Sequence, residues 1–221
     1  MRLIVVIGIV IIGITIAYLS TISQKSEKKL PIIQPKDLKS EMVNPELLKV
    51  GIGHRIGEFS LVNQNGEKIT LEDVKGKVFV AEYFFTTCGT ICPKMTAQMT
   101  RVQKKFIGNK NVKLLSFTVD PATDSVEVMK KYAEKHNAID GQWHFITGEK
   151  DALYGLARNS FFVLKPAEAA NLGDAGSDFI HTNNFVLVDQ ELRIRGYYDG
   201  TSISEVNELM EDIEILLKDK Q

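Results

Sequence analysis

Cysteine is almost absent from this chain. Its 221 residues hold two, Cys88 and Cys92, too few for a disulfide framework but the right number for a redox pair or part of a metal site. Charge of either sign is not in excess. Lys and Arg total 27 against 28 Asp and Glu, a formal net charge of −1. Without a strong field, nucleic acid is not an expected partner. There are four histidines, and no second Cys or His stands at finger spacing to close a four-ligand zinc cage. Internal repeats and low-complexity tracts are missing too. What remains, at 44% hydrophobic content, is enough for one good-sized domain with additions.

The two cysteines lie four apart in Thr86-Thr87-Cys88-Gly89-Thr90-Ile91-Cys92-Pro93. An apolar run, Val78 to Phe84, precedes them and a helical pattern follows. If the chain is helical from Cys88, both sulfurs fall on one face, one turn apart. That spacing allows a disulfide, and it equally allows both sulfurs to grip one metal ion. The residues by themselves leave both chemistries open.

Residues 3–19 carry no charge, and extension to Ile22 gives a helix about 30 Å long, enough to cross a bilayer. Isoleucine and valine on every face do not suit a core helix, and no small-x-small cleavage site follows. Residues 1–22 are therefore expected to be an uncleaved transmembrane anchor. Its N-terminus is placed inside, with the soluble domain on the periplasmic or outer face of the inner membrane. Residues 23–50, with lysines and Pro31, Pro35 and Pro45, are expected to be a linker.

Residues 51–221 are expected to form the globular domain. Asn65-Gly66 between two short strand patterns signals a hairpin. Strands are predicted at 78–84, 112–119, 143–146, 184–189 and 192–198. Ile91, Met95, Met99, Val102 and Phe106 recur at intervals of 4, 4, 3 and 4, one stripe of a helix over 91–107. Met95 and Met99 on that stripe are core residues rather than thioether ligands. Further helices are predicted at 124–136 and 149–158. A last one opens with the capping box Ser202-Ile203-Ser204-Glu205 and has Ile203, Val206, Leu209 and Met210 on its apolar face. Residues 160–181 break the rhythm and are expected to be an inserted flap. The order predicts a thioredoxin-like mixed α/β sheet with helices on both faces. The cysteines stand at the C-terminal edge of the first core strand, where such folds place ligands, and a helix N-terminus there lowers thiol pKa.

Four stretches resemble the Sco/SenC family of membrane-anchored copper chaperones for cytochrome c oxidase. They are Cys88-x-x-x-Cys92-Pro93, Val119-Asp120-Pro121…Asp124 leading to Tyr132-Ala133, Trp143-x-Phe145-Ile146-Thr147-Gly148, and His181 before Phe185-Val186-Leu187-Val188-Asp189. The resemblance runs from about residue 53 to 215. It implies one copper ion, Cu(I) or Cu(II), bound through Cys88, Cys92 and His181, with Cys88 and Cys92 also the redox-active pair. It implies as partners the oxidase subunit carrying the binuclear copper centre and other copper carriers. The role would be copper delivery or maintenance of that centre's thiols. Many members have an acid just before the histidine; here that place is Ile180, and Asp178 is the nearest acid. His54, His136 and His144 are expected to be structural.

The competing reading is a metal-independent thiol-disulfide oxidoreductase using Cys88 and Cys92. Against it, the usual redox motif has two intervening residues rather than three, and no proline stands in the loop before residue 185. Phe85 and Ala81 occupy positions where the signature of a thiol peroxidase would need other residues.

Overall fold

The computed structural model describes residue 13 and residues 28–49, 53–163 and 183–219. Among these no helix is long and apolar enough to cross a membrane. The span expected over residues 3–22 lies outside them apart from Gly13. The flap beyond residue 163 lies outside them as well.

β1 (Ser60–Asn63) and β2 (Lys68–Thr70) form the hairpin, with Gly66 at a φ of 74° that its turn requires. β3 (Val78–Phe84) and β4 (Val112–Thr118) are buried nearly throughout, as central strands covered on both faces must be. β5 (Trp143–Thr147), β6 (Asn184–Val188) and β7 (Ile194–Asp199) complete a seven-stranded sheet in the order β2-β1-β5-β4-β3-β6-β7. β3, β4 and β5 run parallel, while β6 pairs antiparallel with β3. β6 therefore enters the sheet at the end where β3 leaves it.

The helices are α1 (Leu71–Val74), α2 (Cys92–Lys105), α3 (Val126–Lys135), α4 (Lys150–Asn159) and α5 (Ile203–Lys218). α2, α3 and α5 cover one face, packing Met95, Met99, Met129, Val206 and Ile213 against Val80, Phe84 and Phe145. α4 covers the other with Leu153 and Ala157, beside Phe79 and Phe117. The expected two-faced sheet is the one observed. Ile203 departs from expectation. It stands in the first turn of α5 and is 64% exposed, while the buried stripe begins at Val206.

Two segments carry more structure than their composition indicates. Phe161, Phe162 and Val163 are buried in the core beside α4, so the fold continues to at least residue 163. Residues 28–49, expected to be linker, form a strap across the sheet. Ile33 N–H donates to the Ile194 carbonyl at 2.9 Å, extending the pairing of edge strand β7. The Arg195 guanidinium donates to the Leu30 and Pro31 carbonyls at 2.7 and 2.8 Å and to Asp189 at 2.8 Å. Val43 is 0% exposed. Long-range hydrogen bonds and single apolar anchors hold the strap, and neither leaves a periodic trace in sequence.

Arg195→Ala removes one partner of the buried Asp189 carboxylate and two from the strap. Urea unfolding is expected to show a loss of about 3 kcal/mol, with faster protease cleavage within residues 28–49. An unchanged midpoint would mean that the clamp contributes nothing.

Candidate metal and redox centre

The cysteines are not one turn apart on a common helix. The Cys88 N–H donates to the Phe85 carbonyl at 3.2 Å, closing a turn just after β3. Helical bonding begins later, where the Ile91 carbonyl accepts from Lys94 N–H and Met95 N–H, both at 3.0 Å. Cys88 thus lies in the loop and Cys92 is the first residue of α2. Pro93 dictates this. In a helix started at Cys88, its missing N–H would leave the Gly89 carbonyl unpaired and its ring would strike that carbonyl. In a helix started at Cys92, Pro93 falls in the first turn, where no bond is lost.

The sulfurs meet all the same. Both thiols are free, and each bears on the proton affinity of the other. Their environments differ. Burial alone would push Cys88 up, but hydrogen bonds from the Cys92 thiol, from the backbone N–H groups of Thr90 and Cys92 and from the Thr90 hydroxyl outweigh it. Together they bring Cys88 down to about 7. Cys92 lies deeper. Burial first, then its bond to Cys88, push it up to about 12 against one favourable backbone bond from Phe85. The lowering expected of a helix N-terminus therefore reaches only the sulfur outside the helix.

Three groups surround the pair. Asp124, fully buried, accepts from Thr86 in the cysteine loop and from Thr118 at the end of β4. The Tyr132 hydroxyl of α3 lies 2.9 Å from that of Thr96, one turn into α2. Glu82 sits mid-β3 and is 1% exposed. Its Oε1 accepts from the Ser116 hydroxyl at 2.6 Å, which in turn accepts from the Trp143 indole N–H at 2.9 Å. Its Oε2 is buried with no partner. Burial pushes the Glu82 carboxyl up to about 7, and its charge is felt at Cys92 and at Tyr132. Sequence reasoning passed over Glu82, although a lone carboxylate within an apolar strand is a visible signal.

Among the described residues no group of three or more His, Cys, Asp or Glu side chains is placed to hold a metal ion. His181, the predicted third ligand, lies outside the described residues. The other histidines are engaged elsewhere: His54 Nε2 is 2.8 Å from the Ser160 carbonyl, His144 Nδ1 is 3.4 Å from Asn63 Nδ2, and His136 packs on the Tyr132 ring. Met95 and Met99 are wholly buried, as core residues should be.

The sequence model of the SCO1/SenC family matches residues 52–218, a span that takes in both cysteines and His181. The chain belongs to the SCO1/SenC family. It is 33% identical over 168 residues to the SCO1 protein homolog of Bacillus subtilis, covering 75% of this chain and 84% of that one. A putative copper-binding protein of Stutzerimonas stutzeri is 28% identical over 144 residues, covering 64% and 68%. Among solved structures, BsSco, described as a Sco-family cytochrome c oxidase assembly protein with a disulfide switch, superposes with a TM-score of 0.64. Its identity is 30%, covering 76% of this chain and 96% of that one. The SCO1/SenC fold is thus the thioredoxin-like sheet described above.

Glu82 generates a pH signature. Its folded pKa, about 7, lies above the ordinary 4.5. Its stabilising contribution is therefore complete below about pH 4.5 and lost as pH rises through 7. Glu82→Gln abolishes this titration, so wild type should lose roughly 3 kcal/mol relative to the variant across that window. Urea unfolding of the reduced proteins at several pH values measures it. Parallel pH profiles would show that Glu82 ionises normally.

Proposed function

We propose that this chain binds one copper ion through the sulfurs of Cys88 and Cys92 and the imidazole of His181. We propose further that it delivers this copper to the binuclear centre of cytochrome c oxidase, or keeps that centre's thiols reduced. The observation carrying the reading is the pair of free thiols where the loop after β3 meets the start of α2, each bearing on the other's proton affinity, in a chain of the SCO1/SenC family. Thiolates are soft donors and, with imidazole, suit copper. His181 is supported by its neighbour. Asn183, just after it, accepts from Gly200 N–H at 2.6 Å and leads into β6 at the end of the sheet where β3 gives way to the cysteine loop.

The thiol environments fix how the cargo is taken up. Near neutral pH Cys88 is partly thiolate, whereas Cys92 keeps its proton until a bound metal displaces it. Loading therefore releases protons and strengthens as pH rises. A Cys88–Cys92 disulfide removes two of the three donors, so loading is gated by oxidation. Few ligands on a loop and a helix end suit handover by ligand exchange to the oxidase or between copper carriers. In this reading residues 3–22 anchor the chain as a single span in the inner membrane, with the domain on the periplasmic side.

A metal-independent thiol-disulfide oxidoreductase is the second reading. The observation favouring it is the asymmetry of the pair, an accessible thiol of lowered pKa backed by a buried partner, as attack and resolution require.

His181→Ala separates the two readings. The copper proposal expects the variant of the full chain, purified with its thiols reduced, to lose copper stoichiometry and the visible thiolate-to-copper(II) band. Unchanged stoichiometry and band would remove His181 from the site. A wild-type chain that loses its copper on dialysis yet reduces protein disulfides would favour the second reading.

A further inference from the structure

We propose that Asp124 is a positioning residue for the cysteine pair, its carboxylate clamping the loop that carries Cys88 to the end of β4. This rests on the dithiol reading above. Asp124 is 0% exposed. Its two oxygens accept the Thr86 N–H at 3.3 and 3.2 Å. The Thr86 hydroxyl also donates to Oδ1, and the Thr118 hydroxyl donates to Oδ2 at 2.5 Å. The carboxylate is itself fixed, because Asp124 N–H donates to the Asp120 carbonyl at 2.8 Å and Asp120 N–H to the Thr118 hydroxyl at 2.9 Å.

All of these donors are neutral. An interior carboxylate held by neutral donors depends on each one, since a lost donor leaves buried charge unsolvated. Thr86 cannot leave without that cost. Thr86 precedes Cys88 by two residues and follows Phe85, whose carbonyl accepts the Cys88 N–H and whose backbone also bonds to Cys92. The clamp therefore acts on the one turn that touches both cysteines. The rest of the loop is held from one side only. Thr87, Gly89 and Thr90 are exposed, and a Cβ added at Gly89 would meet nothing within 4 Å.

A loop so restrained keeps Cys88 at high effective concentration near Cys92. Releasing it spreads Cys88 over more positions and weakens whatever requires both sulfurs at once. Disulfide formation reads this directly and needs no copper. The two thiols give two electrons and two protons to oxidised glutathione, yielding one internal disulfide and two glutathione thiols.

The test equilibrates the full chain in glutathione buffers and follows thermal unfolding alongside. Thr86→Val keeps the N–H and deletes one donor on the cysteine side of the carboxylate. It is expected to shift the equilibrium toward the dithiol by about tenfold, about 30 mV for this couple. Thr86→Ser restores the hydroxyl and should return the constant to within about twofold of wild type, under 10 mV or so. Thr118→Val deletes a donor on the far side of the same carboxylate. It should lower the unfolding midpoint comparably while leaving the constant within about twofold. An unmoved equilibrium in Thr86→Val, or an equal shift in Thr118→Val, overturns the clamp. A wild-type chain that forms no Cys88–Cys92 disulfide overturns the dithiol reading instead.

Discussion

Pro93 has no N–H to give, and this determines where α2 can begin. Because the helix starts at Cys92, the two sulfurs arrive from different structural settings, one from a loop and one buried under the first turn of the helix. Their inequality follows. Cys88 is reached by several donors and comes down to about 7, while Cys92 is pressed into the core beside β3 and goes up to about 12. A symmetric pair on one helical face would have had no such division. The division suits a site that must be open to an incoming metal or thiol on one side and closed on the other.

The surroundings of the pair come from three separate elements. Asp124, ahead of α3, ties down the loop; Tyr132 within α3 meets Thr96 in α2; Glu82 brings a buried carboxyl whose charge is felt at Cys92. Two of these belong to the segment running from the end of β4 through α3. That segment is distant in sequence from the cysteines but adjacent in space, because β3 and β4 are parallel neighbours ending at the same edge. The parallel pairing is thus what brings a support for the site to the site. At the opposite end of β7, the strap and Arg195 close the sheet edge with a buried ion pair and backbone bonds, so residues 28–49 pack as part of the folded domain.

Much of this was legible in the sequence. The strand runs at 78–84 and 112–119, the hairpin at Asn65-Gly66 and the stripe along α2 depend on local pattern, and the structure reproduces them within a residue or two. The cysteine pair was legible by its rarity. The thiol inequality was not, because it depends on burial by β3 and α3, which no local window contains. Pro93 did carry the information against a helix starting at Cys88. The strap was not legible because Leu30, Ile33 and Val43 are spaced without period among prolines, and the first two bind to residues more than a hundred positions away. Phe161 to Val163 read as the start of an insertion because small residues follow them, although the three side chains themselves complete the core beside α4.

The central claim is that both sulfurs act together on one soft metal ion, and that joining them to each other prevents it. Copper analysis of the full chain, loaded and then desalted in its dithiol and disulfide forms, tests this most directly. The account predicts one copper per chain in the dithiol form and none in the disulfide form. Equal copper in the two forms, or none in either, would contradict it.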